Sequence, residues 1–213
     1  MIPLHSLALF LAAGLALNIT PGPDMLYVAA RGASGGRSAG VVSALGIGAG
    51  TLVHIALVAG GLAALLAAVP VAYMGVQLAG AAYLIYLGVN ALRKRPAGGS
   101  RSVTEASNAA IFRQGVITNV LNPKVALFFL AFLPQFVVPA RGHAALQVIG
   151  LGLLFDTTGT LVNLGVAIAS SRATRGVRSG SVAAVNAGSP LLERLTGGIF
   201  IALGLRLAYM ARR

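Results

Sequence analysis

The chain has 213 residues, 57% of them hydrophobic and only 9% charged, with a net charge of +12. An ordinary soluble domain carries about 25% charged residues, so this composition excludes a water-facing globule and specifies an all-α integral membrane protein. The absence of cysteine excludes disulfides and thiolate metal sites. The Lys and Arg residues, placed almost entirely between and at the ends of apolar runs, exclude a nucleic-acid binder.

Apolar runs bounded by charge, proline or glycine predict six transmembrane helices. The first covers 4–30. It begins without the basic segment of a signal peptide, and nothing resembling a soluble mature domain follows it. The second and third, at 40–68 and 71–92, meet at a turn around Val69-Pro70. From Ser38 to Leu92 there is no Asp, Glu, Lys or Arg, and that length holds two crossings of about 20 residues each. A polar connection at 93–112 leads to spans at 113–138 and 144–170, joined by a turn around Pro139 to Gly142. A second polar stretch, Ser171 to Pro190, precedes the last span at 191–211. The chain thus divides into a three-helix half at 1–92, a loop at 93–112 and a second three-helix half at 113–213. Eleven of the sixteen Lys and Arg fall in the loops after spans 1, 3 and 5. The positive-inside rule makes those loops cytoplasmic and leaves both termini outside.

Two fragments suggest an internal repeat. Asn18-Ile-Thr-Pro-Gly-Pro-Asp24 in span 1 aligns with Thr118-Asn-Val-Leu-Asn-Pro-Lys124 in span 4 when Pro23 is placed on Pro123. Gly50-Thr51-Leu52-Val53 in span 2 has its counterpart in Gly159-Thr160-Leu161-Val162 of span 5. With three spans per half, the halves enter the membrane in opposite senses, a 3+3 inverted repeat of the kind transporters use. Helices 1 and 4 are the broken ones. Pro21 and Pro23 remove two backbone donors within three residues, and Pro123 removes another. Backbone freed in this way is tolerated only where protein or a hydrated cavity takes it up. Each break leaves a half-helix N-terminus suited to an anionic ligand, although a simple packing kink is an alternative, more so at Asn122-Pro123.

Three charges sit deep in spans, where each costs about 2.5–3.5 kcal/mol on insertion scales unless paired or hydrated. Asp24 and Lys124 occupy equivalent repeat positions and suit a zwitterion: the lysine faces its carboxylate, the aspartate its ammonium. A direct Asp24–Lys124 salt bridge without ligand is the alternative. Asp156 has no basic neighbour in sequence and is a candidate proton carrier, as are Asp24 and His54. Asp156 hydrogen-bonded to Thr157 or Thr158, or paired with an arginine from another span, and His54 as a packing residue, are the plainer readings. Asn18, Thr20, Gly22, Asn119 and Asn122 stand beside the breaks and are expected to line the same chamber. No catalytic set, Walker motif or metal-ligand cluster is present, so the sequence predicts no enzyme, cofactor or metal site.

These residues resemble a known family. Asn18-x-Thr-Pro-Gly-Pro-Asp24, Gly35-Gly36-Arg37-x-Ala-Gly40, Gly80-Ala-Ala-Tyr-Leu84 with Tyr86-Leu-Gly88, and Thr118-Asn-x-x-Asn-Pro-Lys124 leading to Phe128-Phe129 and Leu133-Pro-Gln-Phe136 are similar to the LysE/RhtB family of bacterial amino-acid exporters. The resemblance implies export of amino acids or close derivatives, of the homoserine, threonine or lysine type, across the bacterial inner membrane. It implies an ion gradient, with the proton as coupling ion, as the driving force. A channel, a metal-ion permease and a structural membrane protein are the rival readings. The expected partners are an amino-acid substrate, the proton and lipid, and glycine-rich helix faces permit a homodimer.

Overall fold

The computed structural model describes residues 3–62 and 106–176, with separate helical positions between 74 and 92 and between 198 and 209. The turn at Val69-Pro70, most of the third and sixth predicted spans and the polar connections through 93–105 and 177–190 lie outside the described residues. Among the described residues every regular element is helical. Helix α1 covers Leu4–Ile19 and α2 covers Pro23–Leu57, continuing as a π-helical turn over Val58–Leu62. Helix α3 is Asn108–Val120 and α4 is Pro123–Leu127. A π-helical turn at Phe128–Phe132 and a 3-10 turn at Leu133–Phe136 extend α4. Helix α5 is Ala144–Gly176.

As a single rod, α2 would be about 52 Å long, far more than the roughly 30 Å of bilayer hydrocarbon. It is not one rod. Gly36 has φ 74° and ψ −170°, a conformation open to glycine and closed to most side chains. A Cβ on Gly40 would lie 3.0 Å from the Cα of Gly32, whereas residues eight apart along a straight helix are separated by about 12 Å. The chain therefore folds back at Gly36. One limb is 23–35 and the other 37–57. The helix that follows the first break thus runs on beyond the limit predicted for span 1 at residue 30.

The connection expected over 93–112 ends earlier than the sequence suggested, because Asn108 to Phe112 are already helical. Ser107 supplies the reason: its hydroxyl accepts the Ala110 N–H at 3.3 Å and caps α3. Between α4 and α5, Gln147 ties the turn by accepting from Val138 N–H at 2.9 Å and donating to the Val138 and Gly142 carbonyls.

Glycine lets these helices touch backbone to backbone. A Cβ on Gly115 would lie 2.9 Å from the Ser43 carbonyl oxygen, and one on Gly40 2.9 Å from the Ala167 Cβ. Such close packing of small residues is how apolar helices associate in lipid. At the other end of the bundle, Phe10, Phe128, Phe129, Phe132, Phe136 and Phe155 form one aromatic cluster with ring centroids 4.5–6.0 Å apart. Outside, Leu57, Leu121 and Leu161 are each more than 60% exposed. A water-facing protein rarely leaves so much apolar surface bare; lipid is its natural solvent. By length and composition the stretch Pro23–Gly61, which folds back at Gly36, and the helix Ala144–Arg172 are long and apolar enough to cross a membrane, and the bent pair of α3 and α4 makes a third candidate.

Candidate functional site

Proline fixes where the first break falls. At the end of α1, Pro21 and Pro23 have no N–H to return to the carbonyls of the preceding turn. The segment Thr20-Pro21-Gly22 leaves the helical conformation, and α2 restarts at Pro23 with Gly22 as an extended cap. Lys124 supplies the missing donor. Its ammonium donates to the Leu17 carbonyl at 3.1 Å and to the Thr20 carbonyl at 2.9 Å, and it lies against Gly22, where a Cβ would be 3.0 Å from Nζ. Thr20 turns its hydroxyl to the Ala16 carbonyl at 2.7 Å.

The second break follows the same logic. Helix α3 ends at Val120, and Asn122 caps α4 by accepting the Lys124 N–H at 3.0 Å. Pro123 stands at the first position of the new helix, where its missing N–H has no intrahelical partner to lose. The two segments meet at 47°. The Asn122 amide nitrogen is buried with no hydrogen-bond partner.

Asp24 enters at the start of α2, where the helix N-terminus favours a carboxylate. It is 8% exposed. Asn119 Nδ2 donates to its Oδ2 at 2.8 Å, while Oδ1 is buried and has no hydrogen-bond partner. Asn119 is pinned on its other sides: Thr51 Oγ1 lies 3.4 Å from its Oδ1, and its backbone carbonyl accepts from His54 Nε2 at 3.2 Å. The His54 ring in turn stacks on Phe129 at 5.7 Å.

Asp24 and Asp156 line one small cavity. With them stand Asn18 of α1, Ile47 and Thr51 of α2, Asn119 of α3, Val125 of α4, and Phe155, Gly159, Thr160 and Asn163 of α5. Its open volume is about 20 Å³, room for a water molecule and not for an amino acid. Asp156 accepts from Thr160 Oγ1 at 3.4 Å. Thr157 and Thr158, the partners considered from the sequence, instead donate to backbone carbonyls of α5. Asn18 donates to the Phe155 carbonyl at 3.3 Å and to Thr158 Oγ1 at 3.1 Å.

The structure therefore brings Asn18, Asp24, Asn119 and Asp156 to one chamber. Lys124, Thr20 and Gly22 gather beside it at the first break, Asn122 caps the second, and His54 reaches the chamber through Asn119. The lining also contains Thr51, Thr160 and Asn163, which were not singled out as site residues. Their signal was present, since Thr51 and Thr160 follow the glycines of the two Gly-Thr-Leu-Val fragments. Among the described residues no three His, Cys, Asp or Glu side chains group as a metal site would require.

Comparison with known proteins decides the family. The model of the LysE type translocator matches residues 15–211. The chain belongs to the LysE type translocator family. A membrane protein of Vibrio cholerae serotype O1, itself uncharacterised, is 30% identical over 206 residues, covering 96% of this chain and 97% of its own. An uncharacterised membrane protein of Pseudomonas aeruginosa is 31% identical over 89% of this chain and 88% of its own. The leucine efflux protein of Salmonella typhimurium is 30% identical over 140 residues, 65% of this chain and 66% of that protein. No solved structure matches. The translocator is thus a membrane transport protein, and its family and relatives support amino-acid export as the family-level activity.

Proposed function

We propose that this translocator is a secondary transporter that exports amino acids, or close derivatives, across the bacterial inner membrane in exchange for protons. The observation that carries the reading is the cavity between the two helix breaks, where a carboxylate from each end of the chain faces the same space. An α-ammonium meets Asp24 there, beside Asn119. The apolar side chains of Ile47, Val125 and Phe155 border the polar lining and suit a short aliphatic substrate, in keeping with the leucine efflux relative. Lys124 serves two states. With the site empty it holds the carbonyls of α1, and with substrate bound it turns to the carboxylate.

Alternating access follows from a six-span, 3+3 inverted arrangement. Reciprocal seating of the two Gly-Thr-Leu-Val fragments supports it. A Cβ on Gly50 would lie 3.0 Å from Asn119 Oδ1, and one on Gly159 3.0 Å from Asn18 Oδ1. Each glycine carries the asparagine that precedes the other half's break. The small cavity corresponds to a closed state, with the phenylalanine cluster as the barrier on one side.

Export from proteoliposomes loaded with a panel of twenty labelled amino acids, with and without a pH gradient, tests the reading. At least one neutral aliphatic amino acid should leave against its gradient when protons enter, and Asp24→Asn should abolish this. If no amino acid moves under any gradient, or if Asp24→Asn exports at the original rate, the reading fails.

A further inference from the structure

The cavity has an unusual charge balance. Asp24 and Asp156 both line it, and among the described residues no Lys, Arg or His does. Other charged and titratable groups stand around it. Lys124 of α4 holds the carbonyls of Leu17 and Thr20. His54 of α2 sits behind Asn119. Arg31, also of α2, bonds Gln114 of α3 at 2.6 Å, and α1 presents only the amide of Asn18. Two carboxylates border one space of about 20 Å³, and carboxylates that share a site do not readily ionise together. The Asp24 Oδ1 atom, buried and without a partner, adds a bare acceptor, which is costly to leave unfilled. The space asks for one cationic donor and has no room for two.

We infer that Asp24 and Asp156 form a single cation subsite, occupied in turn by one proton or by the substrate's α-ammonium and never by both. This deepens the export reading and rests on it. The exchange balances: the pair with one proton carries a net charge of −1, the proton leaves to solvent as the ammonium arrives, and the occupied pair again carries −1. Competition for the subsite itself then couples the two gradients, with one proton moved per amino acid and no separate proton pathway required.

Calorimetry on the purified full-length protein tests this, with the best binder of the amino-acid panel titrated in two buffers of different ionisation enthalpy. The expected result is about one proton released per molecule bound, with affinity weakening about tenfold for each pH unit below the titration of the pair. Asp156→Asn should bind without releasing a proton and lose the pH dependence, and Asp24→Asn should do the same if it binds at all. Wild-type binding with no proton release between about pH 5 and 8, or proton release that survives in Asp156→Asn, overturns the inference. Proton-driven export that persists beside such a null proton count would sink the shared subsite alone. No binding and no export of any amino acid would remove the export reading and the subsite with it.

Discussion

Gly50 offers the sharpest test of how the chamber is held together. A Cβ there would lie 2.7 Å from Asn119 Cβ, 2.9 Å from the Val116 carbonyl oxygen and 3.0 Å from Asn119 Oδ1. Carbon atoms pack at about 3.5–4.0 Å, so Gly50→Ala must part α2 and α3 by about 1 Å. Neither neighbour gives way easily. The Val116 oxygen is helix backbone, and Asn119 is held by Asp24, Thr51 and His54. Overpacking of this kind costs about 1–3 kcal/mol, and the displaced Asn119 stretches its 2.8 Å bond to Asp24. Gly150 provides the control. Nothing among the described residues lies within 4 Å of a Cβ there, so Gly150→Ala should be neutral or slightly stabilising through its better helix propensity. Stability is read by denaturant titration in detergent, and function by export from liposomes. Gly50→Ala as stable and as active as Gly150→Ala would refute the claim that this backbone contact sets the position of Asn119.

Two further substitutions probe other parts of the same frame. Lys124→Met keeps the length of the side chain and removes its donors. It strips the Leu17 and Thr20 carbonyls at about 1–3 kcal/mol each, partly offset because no ammonium need then be buried; a net loss of about 2 kcal/mol in the substrate-free protein is expected, whereas a purely substrate-binding lysine would leave substrate-free stability unchanged. Phe155→Ala removes the ring stacked 4.5 Å from Phe128 and edge-on to Phe129 at 5.4 Å. It should destabilise by about 3–5 kcal/mol and let protons leak through liposomes, which a pH-sensitive dye would register.

Much of the architecture can be read from residue chemistry alone. The scarcity of charge makes the chain a membrane protein, and proline marks the places where α1 and α3 stop. Gly36 was harder to read. The gap between the spans predicted at 4–30 and 40–68 already holds the turn, but nothing in Gly35-Gly36-Arg37 marks Gly36 as the residue whose positive φ makes it the pivot. Pairing at the site was equally hidden. Sequence places Asp24 opposite Lys124 by repeat alignment; the structure adds Asp156 to the cavity that Asp24 lines, and gives Lys124 the Leu17 and Thr20 carbonyls at the first break. Backbone demand of this kind is invisible until the breaks are seen side by side. The threonines of the Gly-Thr-Leu-Val fragments were legible as a pattern and not as a lining, since apolar sequence makes such matches cheap.

The reciprocal glycine contacts explain why a chamber so small can belong to a transporter. Asn119 belongs to the second half by sequence but rests on Gly50 of the first, and Asn18 belongs to the first but rests on Gly159 of the second. Each asparagine therefore touches the opposite half of the chain while its own backbone stands next to a break. If one half rocks against the other, Asn119 must loosen from Asp24 and Gly50 together, and Asn18 from Thr158 and Gly159. Both events open the same space, one from each side, and the flanking breaks supply backbone that can bend without leaving a helical hydrogen bond unmade. The geometry that closes the chamber around two carboxylates is therefore the geometry that any opening has to undo.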